Sequence, residues 1–556
     1  MPTDAFEDTL DLRIGLLEAV APASPYPLLR PTGQIETRTF STVVLENAYL
    51  RVTIVPGLGG RILSILDKRT NTEILEPADL TPREGGSRGA TIRAGIAVVL
   101  DGGERPNDLG PVDYEIEEPP EAVWIAESAG GTGLSFHLRI ELPPERAELQ
   151  IETRVLNRTK RPLPYNGGLA FQVGEVFVDG HTLYAPSRKA GLKLCTADLL
   201  QGFSRPGGLT FTRFGQIGTI GPRQVDSWEA TIRPFSGLNG SPFVGEDLAT
   251  FLSDDLLEIQ SSEPIPGARL LLGLADSQTV EASADLYPEH VVEIPLEGLA
   301  ARPVALAVQD ADRHDRLRAD RIEPQPLPQA PAAPPAAPDP NVASLPSKGW
   351  LKHMGFSVAY RAIVQLEMGH RALAEGEYEK ADEHLETALL YNGDDPLNWW
   401  TKAMARRLAG AEGESPELLN AHYLAPLEPA LRAEAFLTQS QNQGREPNPL
   451  VAPLAGKPEA LIEVAALLLE IGVRAEASRW IDEAVRHRDL PMLRYLAAWS
   501  LLQGSRMEAE AAVQVAAAAR LPFEPPYPWR EIERTALRDL RERFPNDERL
   551  RQYASL

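Results

Sequence analysis

The chain holds one cysteine, Cys195, in 556 residues. No intrachain disulfide can form, and no thiolate-rich metal site can be assembled. Positive charge is also scarce: 55 Lys and Arg stand against 79 Asp and Glu, for a formal net charge of −24. Such a balance opposes nucleic-acid phosphates and anionic lipid unless a local basic patch intervenes. The basic run Arg313, Arg316, Arg318 and Arg321 is no such patch, because Asp312, Asp315 and Asp320 alternate with it. Every apolar run is far shorter than the roughly 20 residues of a membrane helix. Met1 to Asp11 carries four acidic residues, unlike the basic-then-apolar plan of a secretory leader. The expectation is a cytoplasmic, soluble protein that engages neither nucleic acid nor membrane. There is no Walker loop, no Gly-x-Ser-x-Gly elbow and no His-Glu-x-x-His helix. The N-terminal half holds only His137, His181, His290 and His314, with no two at metal-ligand spacing, so neither a metal nor another cofactor is expected.

What is present divides the chain in two. Glu323 to Ser347 contains nine prolines and six alanines in 25 residues, a composition that favours extended polyproline conformations over a packed core. It reads as a semi-rigid linker between residues 1–322 and 348–556. Before it, apolar residues alternate with polar ones: Leu134, Phe136, Leu138, Ile140 and Leu142 interleave with Ser135, His137, Arg139 and Glu141. A period of two marks a half-buried strand. Similar strands are predicted at 50–55, 61–66, 91–100, 149–156, 209–214, 255–260, 268–274 and 291–296, separated by Gly- and Pro-rich turns. Many antiparallel strands without a long amphipathic helix predict a large sandwich or barrel.

After the linker the period changes. Gly376, Tyr378, Ala381, Leu385 and Ala388 share their spacing with Gly472, Arg474, Ala477, Ile481 and Ala484. Gly504, Arg506, Ala509, Val513 and Ala516 repeat that spacing once more. Helix, glycine turn, helix, with small alanines at the closest approach, predicts a helical array resembling tetratricopeptide repeats. Between the first two units only Gly410 fits, and the polar segment Thr438–Pro453 intervenes, so the array is expected to be irregular.

Two segments carry a family resemblance: VVLENAYLRVTIVPGLGGRILSILDKRTNTEIL (Val43–Leu75) and AELQIETRVLNRTKRPLPYNGGLAFQV (Ala147–Val173). Both resemble the galactose mutarotase-like superfamily, and most closely the domain of unknown function 5107 family, which joins such a domain to tetratricopeptide repeats. Pro491–Gly504 and Arg520–Leu540 resemble that family's closing repeats. The resemblance implies an antiparallel β-supersandwich with a sugar-holding concave face, followed by an all-α repeat domain.

It also implies where chemistry would sit. Mutarotases use a His acid and a Glu base facing each other across the sugar ring. The position matching the His is Gly168, three residues before Phe171, and glycine cannot transfer a proton. His137 and His181 are the nearby imidazoles. Glu258, in Leu257–Ser261, resembles the late-strand carboxylate and is the candidate catalytic residue. Ala97 stands where the uncharacterised family has an acid, with Asp101, Glu104 and Asp108 downstream as replacement carboxylates. Arg88 and Arg93 resemble the arginine segment that grips sugar hydroxyls. Arg61 at a strand entrance and Trp228, whose indole suits a sugar's apolar face, complete the candidate carbohydrate site with Asp101.

Three readings stay open. The first is a carbohydrate-binding protein, lacking the ancestral acid–base pair, with a helical interaction domain. The second is an epimerase-like or glycosidase-like enzyme using Glu258. The third is a scaffold for protein partners or self-association through the helical repeats, which hold six of the eight tryptophans.

Overall fold

Alternation and turn chemistry dictate the first large unit. The computed structural model describes the chain except residues 1, 86–87, 101–104, 106–107, 120–121, 128–130, 173–176, 206–207, 215–216, 241, 254, 300, 321–355, 412, 414, 440–446 and 505–506. The expected linker at 323–347 therefore lies outside the described residues. Two antiparallel sheets, of nine and eight strands, pack on each other. The larger runs from the long hairpin Asp4–Ala21 and Leu28–Glu46 through Leu50–Val55, Arg61–Asp67, Ile96–Val99 and Gly168–Gln172 to Gly208–Thr212 and Leu200–Arg205. The smaller centres on Val225–Ser236, Leu149–Asn157 and Leu134–Glu141. Their shared core takes Val52, Ile65, Phe171 and Phe211 from one sheet and Phe136, Ile140, Ile151 and Ile232 from the other. These are the apolar positions of the alternating pattern, and their burial drives the pairing.

Residues 243–319 add two four-stranded antiparallel sheets with a core of their own, which includes Leu257, Ile259, Leu270, Leu272, Leu306 and Val308. Arg69 ties this unit to the first. Its guanidinium pairs with buried Asp67 at 2.7 Å and donates to Ser261 O at 3.0 Å and Pro234 O at 3.0 Å.

Twelve helices follow among the described residues, from Phe356–Glu375 to Glu548–Ala554. The first two expected pairs form as read. Gly376 and Gly472 take left-handed conformations, φ 76° and 85°, at the turns between helices. Ala381, Leu385 and Ala388, like Ala477, Ile481 and Ala484, are buried. A Cβ on Gly369 would stand 2.9 Å from Leu385 Cγ, so glycine there lets two helices close up. The third unit corrects the expected register. Ala509 and Ala516 are exposed and Val513 is 66% exposed, whereas Ala511, Val515 and Ala518 are buried. Gly504 does not make the turn but closes the helix Pro491–Gly504. The step from Ala477, Ile481 and Ala484 to their buried counterparts is thus longer than the sequence spacing implied, and it matches the roughly 34 residues of a tetratricopeptide unit. The intervening region is irregular, built from short helices such as Pro416–Leu424 and Pro429–Leu437.

The helical half docks on the eight-stranded sheet. Strand Leu134–Glu141 turns Ser135 and His137 outward from the sandwich core, yet both are buried. Arg154 beside them donates to Tyr423 O and Leu424 O at 3.0 and 2.9 Å. Arg158 pairs with Glu428 at 2.7 Å and with Glu463, and Arg223 pairs with Asp395 at 2.7 Å. Arg432 reaches Asp113 at 3.2 Å, where Lys457 joins it. Leu156 enters the core of the helical half. The polar face of the sheet is thus an interdomain face, which explains why its charges are so regularly matched.

Candidate functional site

The largest sheet carries a cleft whose polar lining comes from five segments. Pro56–Leu58 makes a short 3-10 turn, and Gly59 and Gly60 follow at φ 72° and 74°. A Cβ on Gly59 would stand 2.4 Å from Asp108 O, so glycine lets the turn press against that loop. The strand that begins there starts with Arg61, which is buried and pairs with Asp108 at 2.7 Å. Its Nη1 also donates to Ala94 O at 3.3 Å. Next to Asp108, Arg105 locks the loop. It pairs with Glu127, donates to Gly59 O at 2.6 Å and lies 4.6 Å over the Phe136 ring.

The strand expected over 91–100 is broken. Ala90–Thr91 and Ile96–Val99 are separate strands, and Gly95 bends between them at φ 62°, where a Cβ would stand 2.1 Å from Ile62 O. That bend brings Arg93 to the cleft beside Arg61. Gln172 and Thr210, from strands Gly168–Gln172 and Gly208–Thr212, complete the polar lining, and Ala97, Val99 and Ala170, on the same face of their strands, contribute apolar surface. Ala97 and Ala170, paired across their strands, keep the surface between them low.

The structure brings together Arg61 and Arg93 of the candidate residues, with Asp108 as the carboxylate. Asp101 and Glu104 lie outside the described residues. Arg88 goes elsewhere: its Nε donates to Pro27 O at 3.1 Å and its guanidinium stacks 5.0 Å over Tyr26. Trp228 is 2% exposed within the core between the two large sheets. Glu258 belongs to the smaller β unit, on the strand Leu256–Ser261. Its buried carboxylate accepts from Asn239 N at 2.8 Å and from Asn239 Nδ2. Among the described residues it does not line the cleft.

Gly168 sits in mid-sheet, paired with Val99 on one side and Thr212 on the other. A Cβ there would lie 1.9 Å from Phe211 O, so the position admits no side chain. His181 is fixed by Leu199 O at 3.0 Å and stacks on Phe211. His137 is sealed under the helical half, and burial, then the charges of Arg158, Arg154 and Arg432, push its pKa down to about 3.

That depression has a measurable consequence. An unfolded histidine takes up its proton near pH 6.5, whereas folded His137 resists it down to about pH 3. Stability is therefore full above pH 6.5 and falls by up to ~1.4 kcal/mol per pH unit as pH drops through that window. Denaturant titrations of His137→Gln between pH 7 and 4.5 are expected to show a shallower acid limb than the parent chain. An identical limb would contradict this assignment.

Sequence reasoning missed Gln172 and Thr210. Their one signal was alternation from Phe171 and Phe211, because the strands that carry them meet Arg61 and Arg93 only through sheet order. Among the described residues no group of three His, Cys, Asp or Glu side chains is arranged to hold a metal ion, and no helix is long and apolar enough to cross a membrane.

Solved structures similar to this chain include a TPR-domain containing protein from Parabacteroides distasonis, 13% identical at a TM-score of 0.37, with 97% of this chain and 95% of that one covered. A galactose mutarotase-like protein from Lactobacillus casei is 12% identical at a TM-score of 0.26, over 35% of this chain and 100% of its own. A putative aldose 1-epimerase from Escherichia coli K12 is 10% identical at a TM-score of 0.27, over 35% and 98%. Residues 19–171, which take in Val43–Leu75 and most of Ala147–Val173, match the model of the family described as Domain of unknown function (DUF5107).

Proposed function

We propose that the cleft of the nine-stranded sheet binds a neutral saccharide and does not turn it over. The observation that carries this reading is the pairing of buried Arg61 with Asp108, beside Arg93, Gln172 and Thr210, around an apolar surface. A sugar ring presents hydroxyls at its edge and C–H groups on its face. A ring of fixed donors and acceptors around apolar side chains matches both. Binding is favoured over turnover because Gly168 has no room for a proton-transferring side chain and the Glu258 carboxylate is already held by Asn239. The helical half, docked on the opposite sheet, leaves this cleft to the β domain.

Calorimetric titration of the full chain with neutral mono- and disaccharides tests the proposal. One of them is expected to bind, and Arg93→Ala to weaken it by about tenfold, or ~1.4 kcal/mol. Binding that survives Arg93→Ala unchanged, or none across the panel, would overturn it.

A further inference from the structure

The docked halves enclose a second space, independent of the cleft. It is a groove of about 700 Å³ between the loop that follows Asn157 and the last helices of the array. Arg158 and Arg223 lie in it, with charges answered by Glu428, Glu463 and Asp395. Lys160 is answered by Glu367 and Glu470, and Arg530 by Glu463 and Glu533. The rim is different. Arg161 and Arg534 are exposed and have no carboxylate partner among the described residues, and Arg538 reaches Asp539 at 3.9 Å and donates to Thr535 Oγ1 at 3.4 Å. Three guanidiniums therefore line one groove, with the exposed carboxylate of Glu531 among them, in a chain whose net charge is −24.

Two indoles line the same groove. Trp499 is anchored by its N–H to Asp539 at 2.9 Å, and Trp529 carries the Arg530 guanidinium 4.4 Å over its ring. Both are half-buried, leaving part of each ring toward the space.

Behind Lys160, Arg223 and Glu470, which line both spaces, lies a smaller chamber walled by Leu366, Leu397 and Leu467. His370 and Asn398 line it, at 8% and 1% exposure. Neither ring nitrogen of His370, nor Asn398 Oδ1, finds a hydrogen-bond partner among the described residues. Buried polar atoms are seldom left so, because each unmade bond costs about 1–3 kcal/mol. Burial, with Lys160 and Arg223 nearby, holds His370 well below the ordinary histidine range. Its imidazole is therefore neutral, one nitrogen donating and the other accepting.

We propose that this interdomain groove binds a phosphate ester of a ring-bearing small molecule. The phosphate lies on the fork of Arg161, Arg534 and Arg538, the ring lies against Trp499 and Trp529, and polar substituents reach His370 and Asn398. Guanidinium forks match phosphate oxygens bidentately, and an indole face accepts either a sugar's C–H surface or a base. A sugar phosphate and a nucleotide share this chemistry, and the ligand bridges both halves of the chain.

Full-length protein titrated calorimetrically with glucose 6-phosphate, AMP, inorganic phosphate and glucose tests this directly. At least one ester is expected to bind more tightly than inorganic phosphate, and which one identifies the ring. The double variant Arg534→Gln, Arg538→Gln changes two exposed side chains, so its melting temperature should match the parent. Its ester affinity should fall by at least about tenfold. Arg93→Ala should leave ester binding intact, which separates this site from the saccharide cleft. Absence of ester binding at about 5 mM, an affinity unmoved by the double variant, or inorganic phosphate binding as tightly as both esters would each overturn the proposal.

Discussion

Replacing Arg158 with alanine is expected to cost about 3–5 kcal/mol, the usual result of removing one partner from a buried ion pair. Arg158 is 4% exposed and holds Glu428 and Glu463, which are themselves buried. Burial opposes its charge, but the two carboxylates outweigh that and raise its pKa, so it stays ionised. Its removal leaves the buried Glu428 carboxylate without its counter-charge at the centre of the domain interface. Arg530 still reaches Glu463, so Glu428 bears most of the loss. Chemical denaturation should show the drop. Small-angle scattering below the transition should show a larger radius of gyration as the halves separate. Arg158→Lys keeps the charge without the two-carboxylate fork, so a partial loss is expected. A loss below about 1 kcal/mol for the alanine variant would place the pair among surface contacts and contradict the interface described.

Gly168→Ala is the second severe change. The added carbon would lie 1.9 Å from Phe211 O and 2.8 Å from Thr212 Cα, both backbone atoms of the adjacent strand. A side-chain tip can rotate away, but here two hydrogen-bonded strands must part in mid-sheet. The expected cost is about 3 kcal/mol or more, at the upper end of overpacking. Gly168→His would be worse and cannot install a general acid. A melting temperature for Gly168→Ala equal to the parent's would refute this. The effect bears on function, because the position that resembles the mutarotase acid is closed to every side chain.

The strand Leu134–Glu141 shows both what alternation can reveal and what it cannot. Which residues share a face was legible, since Leu134, Phe136, Leu138 and Ile140 enter the sandwich core. What covers the other face was not, because local pattern carries no information about helices that dock from a distant part of the chain. Ser135 and His137 are buried for that reason. The hairpin Asp4–Ala21 and Leu28–Glu46 left no clear signal, as most of its residues are exposed on both faces and burial never imposes a pattern. In the helical half, Gly504 misled the register because glycine serves equally as a turn and as the last residue of a helix. Of the candidate site, Arg93 was suggested by the family resemblance and Arg61 by its place at a strand entrance. Glu258 was legible as a strand residue, but its environment depends on Asn239, which alternation within its own strand does not predict.

The central claim is that sugar recognition resides in the cleft around Arg61 and Arg93. The most direct test is a crystal structure of the full chain with the tightest saccharide from the calorimetric panel. The account predicts ring hydroxyls within hydrogen-bond distance of the Arg61 or Arg93 guanidinium and of Gln172 or Thr210, with the ring's apolar face on Ala97 or Ala170. A saccharide seated anywhere else on the chain, or none bound at saturating concentration, would contradict it.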